Sequence, residues 1–424
     1  MDAESAVRRN VLALIIANCL FGLAFAVYEL ALPLFLDDVN VRLEAIGLVL
    51  GIGAAVNFFV VVYGGRLTDR LGRKVIYGVD LLVVAVATIL TPLFSSIVVL
   101  TALKTAWHAS VSLSRTLRGV LVYESVPPER FTRRFGQLAG LEVSTHGLGF
   151  LAVGFVGLGA GAVLSYRGAF LLSGVAVALG AIVFLAFFRD RHHPAPTASA
   201  VRLTLGSVFT LDLHPKLYRI MAAGTLATLG FGVSHGLWTL YFRNQFDGPW
   251  AGSVAAFDAW LEQTWPALAA LWTAGGRGAQ FALISLIAVG HRVLFGVPMA
   301  LLAPLLRRRL KALYIGSMAL QGLIMASPAL ADWSGGSFLL VACLWAVHDC
   351  LGAAIWLPIH ERFIQTYSRP DQRGADVARV KAVMALGFAL GLVVAGPVMT
   401  MNPALPFAVG GVLVFAASLP LLGL

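Results

Sequence analysis

Residues 64–74 read Gly-Gly-Arg-Leu-Thr-Asp-Arg-Leu-Gly-Arg-Lys and separate two apolar runs, at 45–64 and 75–94. Each run has about 20 residues, the length of a helix that crosses the roughly 30 Å hydrocarbon core of a bilayer. A short basic connection between two such runs indicates a helical hairpin whose turn faces the cytoplasm. This stretch therefore predicts a membrane protein, and the rest of the chain repeats the pattern.

The composition of the whole chain agrees with this interpretation. Of its 424 residues, 59% are hydrophobic and 12% are charged, and the mean hydropathy is +0.85. Soluble domains average about 25% charged residues, so a soluble domain is excluded, as are disordered, collagen-like and disulfide-rich proteins. Charged and turn-forming clusters leave twelve apolar segments. They are residues 10–36, 45–64, 75–94, 97–122, 136–158, 167–188, 217–243, 279–304, 312–330, 337–360, 379–400 and 404–424.

The net charge of +10 is explained by topology. With the N-terminus inside, most of the 31 Lys and Arg residues fall in cytoplasmic loops. The outer loops hold only Arg42, Arg167, Arg243 and Arg277. This asymmetry follows the positive-inside rule and places both termini in the cytoplasm. We expect a multi-pass protein of a prokaryotic plasma membrane and no nucleic-acid partner.

The sequence predicts neither a cleaved signal peptide nor an enzyme. The first apolar segment is far longer than the 7 to 15 apolar residues of a signal peptide, and no cleavage site follows it. Three cysteines, Cys19, Cys343 and Cys350, lie inside apolar segments and are expected to be buried and unpaired. No residue spacing suggests a metal site, a cofactor or a nucleophile with its base.

A polar stretch at 191–216, with Pro194 and Pro196, is expected to be a cytoplasmic linker. It separates an N-terminal bundle, 1–190, from a C-terminal bundle, 217–424, and each contains six apolar segments. Transporters are commonly built from such repeats, with the substrate site near the midplane of the membrane between them.

An outer insertion at 244–278 interrupts the second bundle. A membrane span there would invert the following segments and put the basic residues 307–311 outside, and Pro266, Asp258 and Glu262 also disfavour a span. Helical spacing instead predicts an interfacial helix, marked by Phe257, Trp260, Leu261, Thr264, Leu268 and Leu271. The expected membrane anchors are Trp250, Trp260, Trp265 and Trp272. A folded cap over the transport path is the alternative.

The spacing Gly-x-x-x-Asp-Arg-x-Gly-Arg-Lys in the opening stretch closely resembles the signature loop between helices 2 and 3 of the major facilitator superfamily. The matching positions are Gly65, Asp69, Arg70, Gly72, Arg73 and Lys74. Residues 125–130 with Gly136, and residues 166–170, resemble two further motifs of that superfamily, and the resemblance covers nearly the whole chain. It implies an all-helical fold of two six-helix bundles, in which the loop is a conformational latch that does not touch the substrate.

Among members of the superfamily, the chain resembles the drug/proton antiporter-like transporters. It departs from them in helix 4, where Lys104 stands for the family's arginine and His108 for a glycine. Its fifth segment also lacks the Gly-Pro ending of the antiporter motif.

Ionisable residues inside the apolar segments are the candidate functional residues, since a charge at the bilayer centre costs about 2.5 to 3.5 kcal/mol unless it is paired or hydrated. In the resembled fold, helices 1, 4, 7 and 10 line the central cavity. The candidate cavity residues there are Asn18, Tyr28, Lys104, His108, Arg115, His235, Trp238, Trp345, His348 and Trp356. The proton-coupling candidates are Glu29 and Asp349. For all of them a structural role, as ion pairs, hydrogen-bonded histidines or packing aromatics, remains the alternative.

The remaining charged residues are expected to be structural. An inner charge network is predicted from Asp80, Arg118, Glu124 and Glu142. Arg292, in the eighth segment, needs a carboxylate partner, and Asp349 is the nearest plausible one in the second half.

These observations predict a secondary active transporter that works by alternating access. We expect proton-coupled efflux of a small organic or amphipathic compound by a monomer in the lipid bilayer. One alternative is uptake or exchange of an organic anion, including a lipid-like anion. Another is a sensor or assembly factor that has a transporter fold and transports nothing.

Overall fold

The computed structural model describes residues 3–126, 128–159, 162–189, 213–273, 278–369 and 373–424. Within these ranges all regular secondary structure is helical and no strand occurs. The prediction of an all-helical protein is confirmed.

Six long helices form the N-terminal half, and each matches one predicted segment. They are α1 (Ala3–Asp38), α2 (Leu43–Leu71), α3 (Arg73–Leu90), α4 (Ile97–Ser125), α5 (Pro128–Gly159) and α6 (Ala162–Phe187). We call the side of the membrane at which α1 begins the near side and the opposite side the far side.

The turn between α2 and α3 is tighter than the sequence predicts. The motif at 64–74 was expected to be a loop, but α2 continues to Leu71 and α3 begins at Arg73. Only Gly72 is non-helical, with a φ of 87° that glycine adopts readily and other residues rarely do. The side chains of Gly65, Asp69 and Arg70 lie outside the described residues.

The C-terminal half contains six further crossings, two of which are interrupted. The seventh is split into α7 (Pro215–His235) and α8 (Trp238–Asp247), and the tenth into α13 (Phe338–Val347) and α14 (Ala353–Tyr367). The continuous ones are α11 (Gly278–Leu302), α12 (Leu310–Trp333), α15 (Arg373–Met401) and α16 (Leu405–Ala416). Single helices were predicted at 217–243 and 337–360, so the breaks correct the prediction.

Two short helices occupy the insertion on the far side, α9 (Ala251–Thr264) and α10 (Pro266–Thr273). The predicted single helix is therefore interrupted at Trp265, before Pro266. Trp250 is only 8% exposed and packs among aromatic rings of the C-terminal half, so it is a core residue rather than an anchor. Trp260 and Trp265 are 52% and 59% exposed, as a surface helix requires, whereas the side chain of Trp272 lies outside the described residues.

Nine stretches of the described residues are long and apolar enough to cross a membrane. Shorter apolar helices at 45–60 and 338–347 fall within two more of the predicted segments. Many large hydrophobic side chains are exposed, including Leu301, Val98 and Leu339, which is the normal state of a surface that faces lipid. Together these features are consistent with the predicted twelve crossings.

The two halves meet where α5 packs on α11 and α2 packs on α15. At the first contact, a Cβ added to Gly140 would lie 2.6 Å from the carbonyl oxygen of Gly296. The two backbones therefore touch, as small residues allow between membrane helices. Side chains of α1, α4 and α11 lie between the halves, and they include the ion pair of Glu29 and Arg292 described below.

Candidate functional site

An ion pair joins the two halves. Glu29, on α1, accepts a hydrogen bond from the guanidinium of Arg292, on α11, and both side chains are largely buried. Arg292 was expected to pair with Asp349. It reaches across to the other half instead, while Asp349 has partners within its own half.

Lys104 lies close to this pair on α4 and is buried between aromatic rings. Its Nζ is 4.2 Å from the ring centre of Trp107 and 4.8 Å from that of Tyr28, and these two rings stack at 4.4 Å. The Tyr28 hydroxyl lies 3.0 Å from Thr91 Oγ1. The ammonium is thus stabilised by cation–π contacts on an aromatic surface.

A second ion pair holds the N-terminal half together. Arg118 contacts the carboxylate of Glu142, and its Nη1 lies 3.1 Å from Asn18 Oδ1. Arg115 is 3.8 Å from the same carboxylate, stacks over Phe25 at 4.4 Å, and keeps a side chain that is 41% exposed. Arg118 is therefore buried against Glu142 and Asn18, whereas the guanidinium of Arg115 stays partly exposed.

The structure describes fewer contacts for the other two members of the predicted inner charge network. Asp80 is buried, and its Oδ2 has no hydrogen-bond partner among the described residues. The side chain of Glu124 lies outside the described residues. His108, a candidate cavity residue on the same helix as Lys104, lies 3.4 Å from the Asn57 amide and stacks against Phe388 of the other half at 6.4 Å.

A second cluster of polar side chains occupies the centre of the C-terminal half. His291 Nε2 lies 2.8 Å from Asp349 Oδ2, and His348 Nε2 lies 3.4 Å from Asp349 Oδ1 and 3.2 Å from His235 Nε2. We call these four side chains the His3Asp cluster. The candidate Trp345 is fully buried against three of its rings.

The His3Asp cluster lies at the two helix breaks. His235 is the last residue of α7, and His348 and Asp349 begin the five-residue turn between α13 and α14. Interrupted helices at the midplane of a membrane protein are tolerated where they line a cavity or a binding site, because the freed backbone groups need partners.

Two further residues complete the surroundings of Asp349. Gln321, on α12, donates from its amide to Asp349 Oδ1 and accepts a hydrogen bond from the indole of Trp356. The ring of Trp356 also lies parallel to that of Phe231 at 6.1 Å. The fourth aromatic candidate, Trp238, packs beside Trp345 at 5.9 Å.

Sequence analysis did not identify His291 or Gln321 as site residues. His291 is separated from Asp349 by 58 positions, and His235 from His348 by 113, so no local spacing reveals the cluster. The available signal was the presence of polar residues in otherwise apolar segments. Only the tertiary structure shows which of these residues lie together.

An apolar cleft of about 350 Å³ opens between the halves at the near side. It lies between the near ends of α1, α4, α5 and α11, and its polar lining residues are Arg134 and Gln137. Its apolar lining includes Leu14, Ile15, Val122, Leu138, Leu141 and Leu301. On the far side, Arg243 Nη2, from α8, lies 2.7 Å from Asp37 Oδ2 at the end of α1. The described residues thus show a bridge between the halves on the far side and a cleft between them on the near side.

The family model of the Major Facilitator Superfamily matches residues 14–257, more than half of the chain. The chain belongs to the major facilitator superfamily. This confirms the family that the motif at 64–74 predicted, and it indicates a transporter rather than an enzyme. The drug/proton antiporter-like subtype stays a prediction.

Solved structures of major facilitator transporters share the whole fold. The human organic anion transporter MFSD10 (TETRAN) has a TM-score of 0.66 and 17% identity, with 98% of this chain and 99% of that chain covered. The nucleoside transporter NupG has a TM-score of 0.69, 14% identity and 97% coverage of both chains. The xylose transporter XylE from E. coli, partially occluded and inward open, has a TM-score of 0.69, 14% identity and coverage of 98% and 97%. No curated protein matches the sequence.

Proposed function

We propose that the chain is a proton-coupled secondary active transporter in which Glu29 carries the coupling proton. The observation that supports this role is the ion pair between Glu29 and Arg292, which joins the two halves inside the membrane. A carboxylate that bridges moving bundles can be controlled by protonation, because the neutral form no longer attracts the guanidinium.

Alternating access then depends on which contacts hold the two halves together in each arrangement. With Glu29 ionised, the pair with Arg292 favours the arrangement described here, which is bridged on the far side and open on the near side. Protonation weakens the pair and lets the bundles rock, and the substrate shifts the same equilibrium by binding one arrangement more tightly. Proton and substrate are thereby coupled without needing to touch each other.

The near side is assigned to the cytoplasm in this proposal, because the basic loops and both termini fall there. A cleft that opens to the cytoplasm can load a compound from inside the cell, which supports export. Its apolar lining and few polar groups suit a small organic or amphipathic compound. We further propose that the protein works as a monomer and that the motif at 64–74 latches the near side in the opposite arrangement.

A second candidate is transport of an organic anion. Four cationic side chains, Lys104, Arg115, Arg118 and Arg292, lie around two carboxylates, Glu29 and Glu142, and Arg115 remains partly exposed. This excess of positive charge attracts an anion into the space between the halves. One structural relative is an organic anion transporter, although at 17% identity that likeness supports the fold alone.

The experiment is transport by the purified protein in proteoliposomes. A thermal-shift screen of anionic, cationic and neutral amphipathic compounds selects the test compound, because a ligand of the folded state raises the apparent melting temperature. We expect a pH gradient to drive accumulation of the compound by the wild type. Its charge decides between the two substrate classes.

Glu29→Gln should abolish accumulation driven by the pH gradient and spare the exchange of labelled for unlabelled compound. Glu262→Gln is the matched control, since Glu262 is exposed in the far-side insertion and should behave like the wild type. Uphill transport by Glu29→Gln at wild-type rates and pH dependence would make Glu29 a structural residue, and Asp349 the next to test. A wild type that binds compounds but moves none would favour a sensor.

A further inference from the structure

Four potential metal ligands meet in the C-terminal half where its helices are interrupted. One ligand atom from each residue of the His3Asp cluster lies within 4.8 Å of the others. His235 is half-buried and the other three side chains are buried. They come from three different crossings, so their convergence is produced by tertiary structure and not by the face of one helix.

The hydrogen bonds of His348 fix which of its nitrogens faces the cluster. His348 Nδ1 lies 2.5 Å from the backbone carbonyl of Trp345, so Nδ1 carries the proton and donates it. Nε2 then carries a lone pair that points toward Asp349 and His235. An imidazole that donates from one nitrogen to a carbonyl and keeps the other bare has the arrangement of a metal ligand.

His235 is oriented in the same way by a hydroxyl. Ser234 donates to the Gly230 carbonyl at 3.0 Å, and its Oγ lies 2.9 Å from His235 Nδ1. With the hydroxyl proton of Ser234 on the Gly230 carbonyl, the oxygen accepts the proton of Nδ1, and His235 Nε2 also carries a lone pair; this is the tautomer that the metal proposal requires. It faces His348 Nε2 at 3.2 Å, and two lone pairs at this distance repel each other unless a cation lies between them.

Asp349 is held by contacts to both of its carboxylate oxygens. Oδ2 lies 2.8 Å from His291 Nε2, and Oδ1 accepts from the Gln321 amide. Gln321 is itself held by the indole of Trp356. A Cβ on Gly352 would lie 2.3 Å from Gln321 Cβ, so the glycine in the helix break leaves room for these contacts. The Gln321 amide is thus an outer contact of the kind that orients metal ligands, whereas His291 Nε2 becomes a ligand itself when the ion displaces its proton.

The donor set selects the class of metal. Three imidazole nitrogens and a carboxylate oxygen suit Zn²⁺ and related first-row ions, whereas Mg²⁺ and Ca²⁺ prefer oxygen ligands. Zinc bonds of about 2.0–2.2 Å place tetrahedral ligands about 3.3–3.6 Å apart. Three separations within the cluster, 2.8, 3.2 and 3.4 Å, lie near this spacing, and the four ligand atoms all lie within 4.8 Å of one another.

We propose that His235, His291, His348 and Asp349 bind one Zn²⁺-class divalent ion. Such an ion ties the end of α7 to α11 and to the turn between α13 and α14, and it removes the repulsion between the two facing lone pairs. The site lies wholly within the C-terminal half and does not depend on a coupling role for Glu29.

The test is metal binding by the full-length protein in detergent micelles after treatment with a chelator. Co²⁺ is the first probe, because a tetrahedral Co²⁺ site absorbs visible light far more strongly than hydrated Co²⁺. We expect one Co²⁺ per chain with a tetrahedral spectrum, displaced by one equivalent of Zn²⁺. Wild-type protein that binds neither ion at micromolar concentrations would overturn the proposal. It would favour the other His235 tautomer, in which Ser234 donates to Nδ1 and Nε2 donates to His348.

Substitutions identify the ligands. His348→Gln and Asp349→Asn should each lose the tetrahedral spectrum, and Gln321→Ala should weaken binding about 10- to 100-fold because it removes an orienting contact. His146→Gln is the control, since His146 is a buried histidine of the other half and should bind metal as the wild type does. Each variant is first checked for a monodisperse elution profile. Unchanged affinity in folded Asp349→Asn and Gln321→Ala would place the ion elsewhere and contradict the proposal.

A flux measurement distinguishes a resident ion from cargo. Radioactive Zn²⁺ that accumulates in proteoliposomes, and does so less with Asp349→Asn, would identify the ion as cargo. Stoichiometric binding without accumulation would identify a resident ion that holds the interrupted helices together. Both results require the same ligands and support the site.

Discussion

The two halves of the molecule solve the problem of burying polar groups in a membrane differently. In the N-terminal half, the six helices show no comparable interruption in the described residues, and their polar centre is built around the ion pair of Arg118 and Glu142. In the C-terminal half, two helices break, and the centre consists of three imidazoles and one carboxylate. Side chains of intact helices are enough to form an ion pair. In the His3Asp cluster, by contrast, side chains from three crossings come together, and two of these crossings are interrupted at the cluster.

Breaking the central ion pair of the N-terminal half should have the largest effect on stability. Arg118→Met leaves the buried Glu142 carboxylate with the more distant Arg115 and His146, each at 3.8 Å, and removal of one partner from a buried pair costs about 3–5 kcal/mol. Unfolding by denaturant in detergent micelles measures the loss. Arg115→Met should cost less than about 1 kcal/mol, because its contact is long and partly exposed.

The double variant Arg118→Met/Glu142→Leu should recover most of that stability, since no uncompensated charge is left buried. If Arg118→Met and Arg115→Met cost the same, the N-terminal half would not rest on this pair, and the contrast between the halves would be lost.

Filling the helix break of the C-terminal half should have the next largest effect. Gly352→Ala places a methyl group on Gln321, which must move and release Asp349, so metal affinity should fall about 10- to 100-fold. Gly316→Ala is the control, because a Cβ there meets no atom within 4 Å. Titration with Zn²⁺ measures both, and equal affinities would show that the break does not support the cluster.

Asp69→Asn tests the motif at 64–74 in the N-terminal half. If the stretch at 64–74 is a latch, transport should fall severalfold, while equilibrium binding of the compound found in the thermal-shift screen changes little. Flux in proteoliposomes and binding in micelles are compared on the same preparation. A loss of binding that exceeds the loss of transport would exclude a latch.

The smallest effect is expected in the far-side insertion of the C-terminal half. Partial burial and the neighbouring Glu262 carboxylate raise the pKa of Asp258. The folded state therefore holds this proton more tightly than the unfolded state, so the contribution of Asp258 to stability falls as the pH rises through its folded pKa. Asp258→Asn should be more stable at pH 8 by about 0.2–0.5 kcal/mol, the size of a like-charge pair one turn apart, and equal to the wild type near pH 3. A stability difference that does not depend on pH would contradict this assignment.

Local patterns predicted the fold but not the partners within the site. Hydropathy found the twelve segments, and the motif at 64–74 identified the superfamily, because both are carried by neighbouring residues. The breaks after His235 and around His348 were not predicted, because the mean hydropathy over about 20 residues stays high across a turn of two to five residues. Arg292 was assigned to the wrong carboxylate because a partner in the other half leaves no trace in local spacing.

The candidates on the cavity-lining segments illustrate the same limit. Lys104, His235 and Asp349 were each selected because a polar group is costly in an apolar helix, and the structure gives each of them specific contacts. Which contacts these are depended on crossings far apart in the sequence, such as those of His291 and Asp349, 58 positions apart, and of His235 and His348, 113 positions apart. Trp250 shows the opposite error, since an aromatic residue near a predicted interface was assigned to the surface although it is buried.

Two neighbouring residues of α11 contact different halves of the molecule. His291 faces the His3Asp cluster, and Arg292, about 100° further around the helix and 1.5 Å along it, reaches Glu29 of the other bundle. Because one rigid helix carries both side chains, rotation of α11 about its axis cannot tighten one contact without displacing the other. An ion bound by the His3Asp cluster and the opening of the bundles would therefore be thermodynamically linked, and by reciprocity each would alter the other by the same factor.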